Sequence, residues 1–411
     1  MPSKRDRKRR RKGRKRRLRP GQLILRWAIV VVVLVLIVAG AGYGYFQYQF
    51  SKVASKPCST CVAPASGAPY NVLIVGSDSR AGETAAEAQQ FGSVTAAAGQ
   101  RSDTIKIVHV DPATKTASSL SIPRDTYVTL SDMAAGSQLS SSNKINAAFA
   151  NGPDALIATV QNTFGITISH YIVIGLFGLE DAVNALGGIS LDFPYPVRDR
   201  DCSTGTCYNN SGLSIAGTGC QVLNGQEALA LSRSRYFQYD KGGEWYSDPT
   251  SDLGRIVRQN IVIAAALNKA KSTYNPLKLN SLLASVVHDF SKDNGLSATA
   301  LLSLAETYHA FSGSSLQAST IPTAGATSSV AGDVEVVQEP SAQQVITQFL
   351  GTTPAAVTTP PLDAYGRPIA VPTITTATAP ATTGTTARPG KSTTTTTATT
   401  SSNPSYDPTP C

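Results

Sequence analysis

Four groups of charged residues stand where apolar runs begin or end. Gly76-Ser77-Asp78-Ser79-Arg80 follows the run Asn71–Val75, and Arg101-Ser102-Asp103-Thr104 opens the next. Ser121-Ile122-Pro123-Arg124-Asp125 closes the run after that. Ser232-Arg233-Ser234-Arg235 is followed by Asp252-Leu253-Gly254-Arg255 and Gln259. Asp78 and Asp103 are hard oxygen donors of the kind Mg2+ prefers, with phosphate oxygens completing its shell. Arginine forks suit phosphate because they are planar, permanently charged and bidentate. Arg233 and Arg235 lie two apart and face one side of an extended backbone. Arg255 and Gln259 lie four apart on one face of a helix. Carboxylates with convergent arginines are the apparatus of phosphoryl transfer, where positioning and charge neutralisation supply most of the catalysis. One such residue alone is ordinary surface charge; the signal is their shared placement at strand ends. His109, His170, His288 and His309 show no metal-ligand spacing, and there is no Gly-x-Ser-x-Gly or phosphate-loop motif.

The elements that must carry these groups alternate in type. Asn71–Val75, Thr104–Val110 and Ala117–Ile122 are short, rich in β-branched residues and bounded by turn formers, so they read as strands. Pro153 opens a helix that Gly165 closes. Tyr171–Ile174 is extended, Phe177–Leu186 helical, and Ile189–Asp192 extended again. Gln226–Ser232, Ile256–Lys271, Leu277–Val287 and Ala298–Tyr308 have helical spacing, and Asp333–Val337 is a late strand. This alternation predicts an α/β fold, a mixed central sheet layered between helices in an α-β-α arrangement. Ligands of such sheets bind at strand ends.

The net charge of +9 belongs to one tail. Of the 36 Lys/Arg, 13 lie in residues 1–20, with one of the 27 acids (Asp6); the rest of the chain has 23 against 26 and is near neutral. Trp27–Phe46 holds no charge and no proline, and about 20 such residues cross a ~30 Å hydrocarbon core. With Trp27 on one side and Tyr43, Tyr45 and Tyr48 on the other, it reads as one N-terminal transmembrane helix with the basic tail in the cytoplasm. A secretory signal would have a shorter apolar core. The tail lacks aromatic interleaving or a folded reader, so it reads as a topology signal and no nucleic-acid partner is expected. The expected organisation is a cytoplasmic tail at 1–26, a span at 27–46, an extracytoplasmic stalk at 47–69, a catalytic domain at 70–350 and a disordered Thr/Pro-rich tail at 351–411. Six cysteines fit an oxidising compartment. Cys58 and Cys61 suggest a local or interchain disulfide. Cys202, Cys207 and Cys220 cluster, with Cys220 expected to pair with Cys202 or Cys207 and Cys411 left at the terminus.

The ordered motifs resemble the LytR-CpsA-Psr family. They are Asn71–Arg80, Arg101–Thr104, Asp111-Pro112 with Leu120–Asp125, Lys144–Gly152, His170-Tyr171, Asn184–Gly188, Leu223–Arg235 and Asp252–Gln259. Departures are a long loop at 81–100, an insertion around Lys241–Pro249, Asn184 where the family has Asp, and Pro153 after a single Gly152. The resemblance implies a membrane-anchored phosphotransferase. It would move a phosphoglycan from a polyprenyl-diphosphate carrier to a peptidoglycan hydroxyl, the muramic-acid C6 position. By motif, Asp78 and Asp103 would hold Mg2+. Arg101, Arg124, Arg233, Arg235 and Arg255 would clamp the diphosphate with Gln259, and Lys144 and Asn146 would line or brace the site. Asp103 is also a candidate base. For the polyprenyl chain the expected walls are Phe149, Leu156, Ile157, Val160, Phe164, Tyr171, Val173, Phe177 and Ile261. Rival readings are a lipid-diphosphate pyrophosphatase and a membrane-bound transcription regulator. With only about 25 residues left in the cytoplasm by the ~20-residue span, the topology disfavours the regulator.

Overall fold

The computed structural model describes residues 41–77, 102–131, 142–203, 205–250, 252–272, 290–300, 317–371 and 404–411. The chain divides into two units, Met1–Tyr48 and Gln49–Cys411. In the first, residues 41–48 are helical. Most of the expected span at 27–46 lies outside the described residues, and among those described no helix is long and apolar enough to cross a membrane.

In the second unit the first strands are β1 (Ala54–Lys56), β2 (Tyr70–Ser77), β3 (Ser102–Asp111), β4 (Thr116–Ile122), β5 (Tyr127–Thr129), β6 (Ser142–Lys144) and β7 (His170–Gly175). There follow β8 (Ile189–Phe193), β9 (Val197–Asp199), β10 (Ser214–Ile215), β11 (Gly219–Leu223), β12 (Phe237–Lys241) and β13 (Glu244–Ser247). The last are β14 (Phe290–Asp293), β15 (Gln317–Thr320), β16 (Thr323–Ser328), β17 (Gly332–Val337) and β18 (Thr409–Pro410). The helices that matter here are α1 (Pro153–Phe164), α2 (Leu176–Ala185), α3 (Gly225–Arg233), α4 (Asp252–Ser272) and α5 (Ser341–Leu350).

A seven-stranded mixed sheet, ordered β1-β14-β7-β2-β3-β4-β15, forms the middle layer. β2 runs antiparallel to β3 and parallel to β7. Period-2 alternation sends Leu73, Val75, Ile105, Ile107, Leu120 and Ile122 to one face, against Leu156, Ile157, Val160 and Phe164 of α1 and Ile346 and Phe349 of α5. Each such side chain contributes about 1.5–3 kcal/mol when fully buried. Pro153 at the first turn and Gly165 at φ 66° bound α1 as the sequence predicts. The other face of the sheet carries Val72, Ile74 and Ile172. A second core joins α2, α3 and α4 to β8, β9 and β12 through Val183, Leu191, Val197, Leu231, Phe237 and Val262.

Three expectations change. The segment expected to be a stalk is partly built into the domain: β1 pairs with β14, and Val62 N–H donates to Ile168 O at 2.9 Å. The Cys58–Cys61 disulfide forms within it, with both cysteines packed on the main core. The tail expected to be disordered contributes ordered structure, with Ala355 N–H on Gly165 O at 2.9 Å, Leu362 buried, and β18 paired to β8. Cys202 pairs with Cys207, and Cys220 pairs with Cys411 across 191 residues instead of with its near neighbours. A terminal cysteine gives no local clue to such a partner. The helices expected at 277–287 and 298–308 lie wholly or mostly outside the described residues.

Candidate active site

A cavity of about 430 Å3 opens between the sheet and helices α2, α3 and α4. Asp103, Arg233, Arg235, Arg255 and Gln259 line it, together with Ile74, Ile174, Leu179, Leu229 and Ile263. Another cavity, of about 450 Å3 between Gln343 and residues 353–371, has no charged residue in its lining.

Asp103 is delivered by a β-bulge. Gly76 pairs with Thr104 and Ser77 with Ser102, so Asp103 has no cross-strand partner. Bulges re-aim side chains in this way beside active sites. Burial would raise the Asp103 pKa, but the charges of Arg124, Arg255 and Arg235 and the Arg124 hydrogen bond outweigh it and hold the carboxyl below its ordinary value. Arg124 Nη1 binds Asp103 Oδ1 directly. Arg255 Nη2 donates to the Asp103 carbonyl at 3.2 Å. One carboxylate therefore stands ionised among three guanidinium groups.

The arginines have their own supports. A capping box of Asn224 and Glu227 starts α3. The helix then ends on Arg233, where a cation suits the helix dipole. Asp199, only 2% exposed, accepts the Arg235 and Tyr236 N–H groups on Oδ2 at 3.1 and 3.3 Å. Gln259 Nε2 donates to the Ser232 carbonyl at 3.2 Å. Asn146 does not line the cavity; its N–H holds the Arg124 carbonyl at 3.1 Å. Lys144 is also outside the lining and pairs with Asp125 at 3.5 Å. Asp78 and Arg101 lie outside the described residues.

Sequence reading missed several residues. Asp199, Asn210 and Tyr236 line the cavity but belong to no cluster of like chemistry. Lys106 is the most consequential. It is 5% exposed on β3, where Nζ donates to Ser121 Oγ at 2.7 Å and to Asn260 Oδ1. Burial pushes its pKa down to about 8. Lys106 stands three residues after Asp103, Ser121 three before Arg124, and Asn260 five after Arg255. The contact ties together β3 and α4, which carry Asp103 and Arg255, and β4, whose end leads into Arg124.

The expected apolar walls are corrected. Phe149, Leu156, Ile157, Val160, Phe164 and Tyr171 fill the core beneath the opposite face of the sheet, with Val173 packed against it. Ile261 belongs to the second core, and the Phe177 side chain lies outside the described residues. The cavity's apolar lining comes instead from Ile74, Ile174, Leu179, Leu229 and Ile263. Periodicity marks apolar faces but does not say which face stays unfilled.

A three-layer α/β domain with arginines and a carboxylate at one part of a cavity, and aliphatic side chains at another, defines a class of protein suited to amphipathic phosphate esters. The chain belongs to the LytR_cpsA_psr family, whose model matches residues 47–349. Among curated relatives it is 35% identical over 183 residues to the polyisoprenyl-teichoic acid–peptidoglycan teichoic acid transferase TagV of Bacillus subtilis, covering 44% of this chain and 42% of that protein. It is 32% identical over 235 residues to the probable cell wall biosynthesis protein LcpB of Corynebacterium glutamicum, covering 56% and 50%. The matches thus span about half the length of these relatives. The crystal structure of B. subtilis TagV is similar at TM-score 0.50 and 26% identity, over 70% of this chain and 99% of that one. The LytR-Csp2A-Psr enzyme from Actinomyces oris shares the fold at TM-score 0.54 and 20% identity, over 75% and 97%.

Proposed function

We propose that this protein is a phosphotransferase that moves a phosphoglycan from a polyprenyl-diphosphate carrier onto a peptidoglycan hydroxyl, the muramic-acid C6 position. The observation that carries this reading is the joining of Asp103, Arg233, Arg235 and Arg255 to an aliphatic lining in one cavity. A lipid diphosphate has those two chemistries on one molecule. The family relatives named for teichoic acid transfer to peptidoglycan support the same substrates. In the reaction the sugar hydroxyl oxygen attacks the glycan-bearing phosphorus, the diphosphate P–O bond breaks, and polyprenyl phosphate departs, taking up the proton that the hydroxyl releases. Arg233, Arg235 and Arg255 neutralise charge on the phosphate oxygens. Asp103 is too well stabilised as an anion to favour a base role and suits a cation ligand better.

Mg2+ fits this donor set. An ionised carboxylate beside a phosphate site is what the ion takes, and Asp103, with Asp78, would hold it. When bound it would supply charge neutralisation at the diphosphate. The anchor at residues 27–46 belongs to the same proposal: one span, N-terminus in the cytoplasm, would keep the cavity beside a carrier lying in that membrane. The test is incubation of the full-length protein with a synthetic polyprenyl-diphosphate glycan, Mg2+ and peptidoglycan chains. Glycan should become covalently attached to peptidoglycan. Hydrolysis without attachment would replace the reading with a pyrophosphatase, and neither reaction would end it.

A further inference from the structure

The last eight residues of the chain pack on the elements behind the arginine cluster. β18 pairs antiparallel with β8, and Cys411 is bonded to Cys220 on β11. The Tyr406 ring stacks on Tyr239 with centroids 4.7 Å apart and an interplanar angle of 4°, and its hydroxyl donates to Asp248 Oδ1 at 2.9 Å. Asp407, 2% exposed, accepts from Arg258 Nη1 at 3.2 Å. Arg258 is fully buried and also binds Asp248 Oδ2 at 2.7 Å.

Arg258 then reaches the cavity's supports. Its Nη2 donates to the Ser234 carbonyl at 3.1 Å, while its neighbour Gln259 holds the Ser232 carbonyl at 3.2 Å. These carbonyls flank Arg233, and Ser234 separates it from Arg235; both arginines line the cavity. On the same helix Arg255 holds the Asp103 carbonyl. A buried guanidinium keeps one geometry only while its hydrogen-bonding partners are fixed. Asp248 and Asp407 fix Arg258 from behind, and Asp407 comes from 149 residues away.

We infer that the C-terminal segment 404–411 is a positioning element of the active site, with Asp407 acting through Arg258 on the backbone that presents Arg233 and Arg235. The Cys220–Cys411 disulfide keeps Asp407 at Arg258 by replacing a long tether with one of four residues, which raises the local concentration of the carboxylate there. This inference rests on the phosphate-binding role proposed for those arginines. It gives the terminus a part in binding the diphosphate, distinct from any role in overall folding.

Three variants test it: full-length Asp407→Asn, full-length Asp407→Glu and a chain truncated after Asn403. A small misplacement of binding groups costs up to about a hundredfold. For Asp407→Asn and the truncation, the KM for the lipid-diphosphate glycan should rise roughly tenfold, with the KM for peptidoglycan chains unchanged. Asp407→Glu should recover part of the loss. A purely structural role would lower the melting temperature and the amount of active protein while leaving both KM values alone, and that result overturns the inference. Hydrogen exchange gives a readout that needs no turnover. The Arg235 and Tyr236 amides, held by Asp199, should exchange faster in Asp407→Asn while amides of β2 and β3 are unaffected. Unchanged exchange at those two amides also overturns it. A wild-type protein without transfer or hydrolysis would refute the proposed reaction and leave this exchange test standing.

Discussion

Lys106→Met separates the cost of burying a cation from the benefit of its contacts. The Lys106 pKa falls from 10.5 to about 8 on burial. At about 1.4 kcal/mol per pH unit, a charged Lys106 costs the folded state about 3 kcal/mol. Below pH 8 that cost is present in full, because both states hold the proton. Between pH 8 and 10.5 the unfolded chain keeps its proton while the folded lysine releases it, so stability rises with pH. Methionine removes the charge but orphans Ser121 Oγ and Asn260 Oδ1, at about 1–3 kcal/mol each. The two effects nearly cancel at pH 7. The difference between the proteins should then change with pH: wild type should gain about 2 kcal/mol relative to Lys106→Met between pH 7.5 and 9.5. Urea unfolding followed by near-UV circular dichroism measures this, and all other titrating groups cancel in the comparison. Parallel stability profiles would refute the assignment of Lys106 as a buried, proton-losing lysine. Activity should fall in the variant, because the tie among β3, β4 and α4 is gone.

Asp103→Asn keeps the shape of the side chain and removes its charge. Turnover in the transfer assay should fall roughly 10²–10³-fold while the melting temperature stays within a few degrees. Chelation with EDTA should stop transfer, and added Mg2+ should restore it; transfer that continues under EDTA would count against the metal. Ile263→Ser should weaken binding of long polyprenyl diphosphates by about 1–2 kcal/mol and leave short-chain analogues almost untouched, as calorimetry would register. Equal losses for both would mean that the aliphatic lining does not hold the chain.

Much of the frame was legible because it is written in local patterns. β2, β3, β4 and α1 fall where β-branched runs, a leading proline and a closing glycine placed them. Asp103, Arg233, Arg235, Arg255 and Gln259 meet in one cavity, as charged residues at strand and helix ends would. The slot was not legible, since Ile157 and Ile263 look alike in sequence. Only the packing of α1 onto one sheet face, and the gap left under α4 on the other, tells them apart. Asp199 and Lys106 were missed because a lone buried charge carries no pattern. The Cys220–Cys411 bond and β18 were missed because a Thr-rich composition argues against order in the whole stretch while saying nothing about its last eight residues.

Gly254 shows how a motif can be visible while its reason is not. It precedes Arg255, and sequence alone suggests only a helix start. In the structure a Cβ at 254 would lie 2.0 Å from Asp248 Oδ2, 2.5 Å from Thr250 Oγ1 and 3.0 Å from Arg258 Nη1. The glycine therefore makes room for the buried Asp248–Arg258 pair, the same pair that Asp407 joins from the chain's end. Any side chain there would push Asp248 off Arg258, and Arg258 would lose its fixed grip on Ser234. The glycine beside Arg255 thus acts on Arg233 at the end of α3 and Arg235 in the following turn through a helix, an ion pair and a carbonyl, without lining the cavity itself.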